Sequence, residues 1–130
     1  MKNTFEQLRN QPENLPVLNH LSGQSAHSDL AYFFFERMRG LNKAATYAPD
    51  GYPFPYTLCH ANHLIFGFCV GMQSISLKLP EHLVALAQED GGKPSNTLAR
   101  HGWLDFLVFE PCVKPFQDRW IKHAYREALK

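Results

Sequence analysis

Cys59-His60-Ala61-Asn62-His63 is the one place in the chain where thiol and imidazole side chains crowd together, and it sets the first chemical question. Zinc takes three or four such ligands at about 2.0 to 2.3 Å. On one extended strand Cys59 and His63 would stand about 13 Å apart, at ~3.3 Å per residue, too far to share an ion. A hairpin turn at Ala61-Asn62 would bring His60 and His63 face to face. Cys59, His60 and His63 are therefore the metal candidates, although the sequence supplies no further ligand nearby, and His20, His27, His82, His101 and His123 have no assigned role. Ordinary half-buried histidines are the competing reading. Cys59 is also the better nucleophile candidate, because Cys69 lies in the most apolar stretch, where a thiol is usually inert packing. Neighbours on a strand point to opposite faces, which works against a Cys59-His60 pair. His101 and Asp105 could form an acid/base pair, but no pocket is legible around them. The chain contains no G-x-S-x-G elbow, P-loop or G-x-G-x-x-G.

Two further sets of residues suit binding better than catalysis. Ser74, Ser76 and Lys78 alternate with Ile75, Leu77 and Leu79, while Trp103 and Asp105 alternate with Leu104, Phe106 and Val108. This is the period of strands with one apolar and one polar face. If helices cover the apolar side, Ser74, Ser76, Lys78, Trp103 and Asp105 share an open face with a Trp as contact anchor. The alternative for Trp103 is a cap on the core edge. Lys114, Arg119, Lys122 and Arg126 fall on the polar side of the last helix, a row able to hold phosphates by counterion release. A solvated helix face looks the same, and cations near a helix C-terminus also complement its dipole.

The elements that must position these groups are organised around Leu64 to Pro80. Leu64 to Val70 is apolar at both parities, Gly71 breaks the run, and Gln73 to Leu79 alternates strictly, so two neighbouring strands are expected. Tyr56 to His60 should be a strand that pairs with the first of these, and Ala44 to Ala48 a short one before it. Pro49-Asp50-Gly51 is a turn, and Tyr52 to Tyr56, with two prolines, reads as an edge or a loop lying on the sheet. Trp103 to Phe109 reads as the last strand.

Helices are expected at three places beyond a short N-terminal one that starts with Thr4 and carries Phe5 and Leu8. Ser28 is the expected N-cap of a helix burying Leu30, Phe33, Phe34 and Met38, which Gly40 and Asn42 end. The Phe33-Phe34-Phe35 triplet suits stacking on bases or flat ligands, but two of the three fall on the buried stripe. Pro80 opens a helix with Leu83, Val84, Leu86 and Ala87 inward, and Gly91-Gly92 closes it. Pro111 and Pro115 bracket the turn into a final helix whose apolar row is Phe116, Trp120, Ala124 and Ala128. Residues 10 to 27 hold two Pro, Gly23 and several Asn and Ser, so residues 1–27 read as an irregular segment docked on the rest. Lys93 to Gly102 reads as a polar loop.

Composition bounds the alternatives. At 130 residues with 45% hydrophobic and 19% charged side chains, the chain fits a single α+β domain over 1–130, a two-layer sandwich of an antiparallel sheet with helices packed on one face. A net charge of +1 supplies no global field for nucleic acid or membranes. Three scattered Cys fit a reducing compartment, and neither a secretory leader nor a membrane span is expected, so the cytoplasm is the expected location.

Ile75-Ser-Leu-Lys-Leu-Pro-Glu81 before a helix, His101-Gly-Trp-Leu-Asp-Phe106, and Ala124-Tyr125-Arg126 in a closing helix together resemble the YjbR/MmcQ-type small bacterial proteins, and also the uncharacterised luciferase-domain proteins. The resemblance covers about residues 44 to 128, with Lys78, Trp103 and Tyr125 on matching positions. It implies a compact α+β fold and, for the YjbR-like group, a DNA-binding role without a defined chemistry. The leading expectation is a non-catalytic bacterial binding module for a protein or small-molecule partner, with no cofactor. DNA binding, and a metal protein or enzyme built on Cys59, His60 and His63, are the alternatives. A homodimer formed through the sheet face or an unpaired edge strand is a further option.

Overall fold

A computed structural model of the protein describes residues 4–50, 53–95, 98–109 and 116–130. Its elements are α1 (Thr4–Arg9), a 3₁₀ turn (Pro12–Asn14), α2 (Leu15–Leu21), α3 (Ser28–Met38), β1 (Ala44–Tyr47), β2 (Thr57–Ala61), β3 (Leu64–Val70) and β4 (Ser74–Lys78). They continue with α4 (Glu81–Glu89), β5 (Lys93–Pro94), β6 (Trp103–Leu107) and α5 (Arg119–Leu129). The strands form one antiparallel sheet in the order β1-β2-β3-β4-β6-β5. The expected α+β architecture, an antiparallel sheet with helices packed against it, is thus present. The turn at Pro111 and Pro115 lies outside the described residues, as do Gly51 and Tyr52.

Alternation along the strands divides the interior into two apolar clusters. Cys59, Cys69, Ile75, Leu77, Leu104 and Phe106 point to one side, where Phe34 and Met38 of α3, Ala87 of α4 and Trp120 of α5 meet them. Leu58, Ile65, Phe68 and Trp103 point to the other. Register shifts once, between Cys59 and His60, leaving Phe66 as an extra residue in β3. That bulge turns Phe66 into the first cluster while Ile65 and Phe68 both stay in the second.

The second cluster is closed by the N-terminal segment, which supplies Leu8, Val17, Leu18 and Leu21. The segment is more regular than expected, because Pro12 and Pro16, which look like breakers, occupy the first position of the 3₁₀ turn and the second of α2. There a missing N–H costs no hydrogen bond. Asn14, 1% exposed, fastens this strap to the sheet. Its amide donates to the Leu8 carbonyl at 2.9 Å and the His63 carbonyl at 2.8 Å, and its oxygen accepts from the Ile65 N–H at 3.0 Å.

Several local boundaries differ from expectation for identifiable reasons. The β2–β3 turn is Asn62-His63, not Ala61-Asn62, with φ of 54° and 67°, the two positive values of a tight hairpin turn that matches strand twist. His27, not Ser28, caps α3, its Nδ1 accepting the Asp29 N–H at 3.0 Å. Lys93 and Pro94, expected in a loop, pair with Asp105 and Leu104 as a two-residue edge. Leu86 is exposed, so the inward side of α4 is Ala87, buried, with Leu83 and Val84 half-buried beside it.

Gly102 marks the tightest backbone approach. Its φ is +89°, a Cβ there would stand 2.5 Å from the Leu79 carbonyl oxygen, and the Leu79 N–H donates to the Gly102 carbonyl at 3.0 Å. Gly102→Ala is expected to cost about 2–4 kcal/mol of unfolding free energy, from left-handed strain and a contact with backbone that cannot yield. Urea denaturation checks this, and a loss below about 1 kcal/mol would show the approach to be slack.

Candidate functional site

The Cys59, His60 and His63 triad does not assemble. The Cys59 side chain is fully buried in the first cluster, and its thiol is held well above its ordinary pKa by burial, with Cys69 adding to the effect. Cys69 is likewise pushed up to about 12 by burial, against an opposing effect of hydrogen bonds with Thr57. Neither thiol is poised as a nucleophile or ligand. His60 lies on the opposite side of the sheet, because successive strand residues alternate. It stacks on His63 with ring centroids 5.5 Å apart and planes 13° apart. The two imidazoles thus meet as expected, through the shifted turn. Among the described residues no group of three or more His, Cys, Asp or Glu is placed to hold a metal ion.

The face expected to stand open is largely covered. Trp103 is 1% exposed and packs on Phe68, ring centroids 5.0 Å apart, beneath the N-terminal strap. Ser76 is buried and its hydroxyl donates to Asp105 Oδ1 at 2.5 Å; Ser74, Lys78 and Asp105 are half-buried. Trp103 is therefore core rather than contact anchor. Asp105 takes the Ser76 hydroxyl, while His101 stands exposed in a second 3₁₀ turn, Ala99–His101, before β6.

Of the basic row, Lys114 lies outside the described residues. Arg119 pairs with Asp90 in a short contact, and Asp90 also accepts the Trp120 indole N–H at 3.1 Å. This ties α5 to the end of α4. Lys122 and Arg126 are exposed on α5. No described helix is long and apolar enough to cross a membrane.

What the structure assembles lies elsewhere. The strap and the chain between β1 and β2 enclose a cleft of about 670 Å³. Phe5, Leu15, Leu18, Tyr47, Phe54 and Tyr56 make its apolar walls. Asn19, Ser22, Gln24 and Ser25 add polar groups, and Arg9 is the one charged residue among the described lining. Phe5 and Tyr47 hold their rings 6.1 Å apart at 33°, with the Arg9 guanidinium 5.9 Å from the Phe5 ring centre. The Tyr47 phenol is raised above its ordinary pKa by burial and by Asp50, so it is neutral near pH 7.

Local chemistry explains why the cleft stays open. Pro49, Pro53 and Pro55 keep the β1–β2 connection from continuing the sheet. It is instead pinned back on the strap's exit, with the Ala26 N–H donating to the Phe54 carbonyl at 3.1 Å and Ser25 bridging Pro55. Phe54 is thereby held 60% exposed at the rim. The sequence signals for this site are the apolar anchor at Leu15, Val17, Leu18 and Leu21 and the aromatic, proline-rich pentad. Each is visible alone, but nothing local says that they converge. Comparison with family models, curated proteins and solved structures finds no match to the chain.

Proposed function

We propose that the protein is a non-catalytic binding module that takes a small, mainly apolar ligand into the cleft between the N-terminal strap and the β1–β2 connection. The observation that carries this reading is the cleft itself, whose volume of about 670 Å³ falls within the range of sites that enclose a small organic molecule. Its aromatic walls with a few polar groups are the usual composition of such sites. The free, buried cysteines Cys59 and Cys69 accord with a cytoplasmic setting.

The test is a fluorescence titration with the uncharged probe N-phenyl-1-naphthylamine. The native chain is expected to bind it saturably, and Phe54→Ala and Tyr47→Ala to weaken binding about five- to tenfold, since one aromatic wall contributes ~1–1.5 kcal/mol. Tyr32→Ala, on the exposed side of α3, serves as control and should leave affinity unchanged. Equal weakening by all three changes, or no binding, would reject the cleft as the site.

A further inference from the structure

We infer that the ligand of this cleft is an aromatic or similarly flat apolar molecule carrying a single anionic group, which Arg9 receives. The inference rests on the cleft-binding reading above and adds the ligand's charge and shape. Arg9 is the sole charged residue among the described lining, and it is the last residue of α1. Its guanidinium contacts the Phe5 ring, and no carboxylate among the described residues forms an ion pair with it. A guanidinium in that position offers a planar fork of donors that fits one carboxylate or sulfonate in bidentate fashion. The tilted Phe5 and Tyr47 rings, with Phe54 at the rim, leave a wall suited to an aromatic face. Asp50 acts on the Tyr47 phenol but is not among the described residues that line the cleft.

Two probes with the same ring skeleton separate the inference from the reading beneath it. N-phenyl-1-naphthylamine is uncharged, and 1-anilinonaphthalene-8-sulfonate adds one sulfonate. Both are titrated against the intact protein and against Arg9→Gln, with near-UV circular dichroism confirming that the variant is folded. The expected result is a Kd for the sulfonate about tenfold lower than for the uncharged probe, a preference, read as the ratio of the two Kd values within each protein, that disappears in Arg9→Gln. The preference should also shrink as salt is raised. Equal affinity of the two probes for the native chain overturns the anion inference and leaves the cleft as an apolar site. A preference that survives Arg9→Gln overturns it too, by locating the sulfonate elsewhere. If neither probe binds, both readings fall.

Discussion

Replacing Asn14 with alanine is expected to remove about 2–5 kcal/mol of stability. Asn14 is buried, and its side chain makes three hydrogen bonds to backbone groups of Leu8, His63 and Ile65. Alanine orphans the Ile65 N–H and the His63 carbonyl from their Asn14 partner, while the Leu8 carbonyl still accepts the Gln11 N–H. Each buried orphan costs ~1–3 kcal/mol, reduced where water can reach it. Aspartate is nearly isosteric but should be no better, because it loses both donors and brings a charge towards two carbonyl oxygens. Urea unfolding gives the total, and amide exchange shows how it is distributed. The strap, residues 4–21, should lose protection before the central strands do, since the Asn14 hydrogen bonds to His63 and Ile65 that join it to the sheet are then gone. A loss below about 1 kcal/mol, or uniform exchange across the molecule, would show that burial of Leu8, Val17, Leu18 and Leu21 suffices to seat the strap.

That residue also marks where sequence reasoning stops. The period-two pattern of Ile75, Leu77 and Leu79 and that of Leu104 and Phe106 are local properties of the backbone, so the central strands and their apolar side are legible from spacing alone. Asn14 acts on groups 49 and 51 residues away, and no local pattern encodes such a pairing. Trp103 illustrates the same limit from the other direction. Its face is predictable from alternation, but whether that face is wet depends on a segment eighty or more residues earlier in the chain. Pro12 and Pro16 are ambiguous in sequence because a residue that ends one helix is equally suited to begin the next. The cleft combines these uncertainties, since its walls come from the strap and from a loop that the prolines exclude from the sheet.

His60 should make the protein lose stability as acidity rises, by an amount on the order of 3 kcal/mol between pH 7 and pH 4. Its side chain is 6% exposed, neither ring nitrogen has a hydrogen-bond partner, and the stacked His63 is the titratable neighbour that faces it. Burial first, and the His63 charge second, lower its pKa from 6.5 to about 4. The unfolded chain therefore takes up a proton near pH 6.5, while the folded chain resists until about pH 4. Within that window the unfolded state binds more protons, so stability is fully present above 6.5 and falls as pH drops towards 4. His60→Phe keeps a ring of similar size against His63, removes the two unpartnered nitrogens and cannot titrate. It should raise stability at pH 7 by about 1–2 kcal/mol and flatten the slope between pH 6.5 and 4, the remaining histidines and carboxylates being common to both proteins. Urea unfolding of both chains at pH 7.0, 5.5 and 4.5 measures the difference directly. Parallel curves would mean that His60 is protonated as readily in the folded protein as in the unfolded one, and that the stacked pair tolerates charge where burial says it should not.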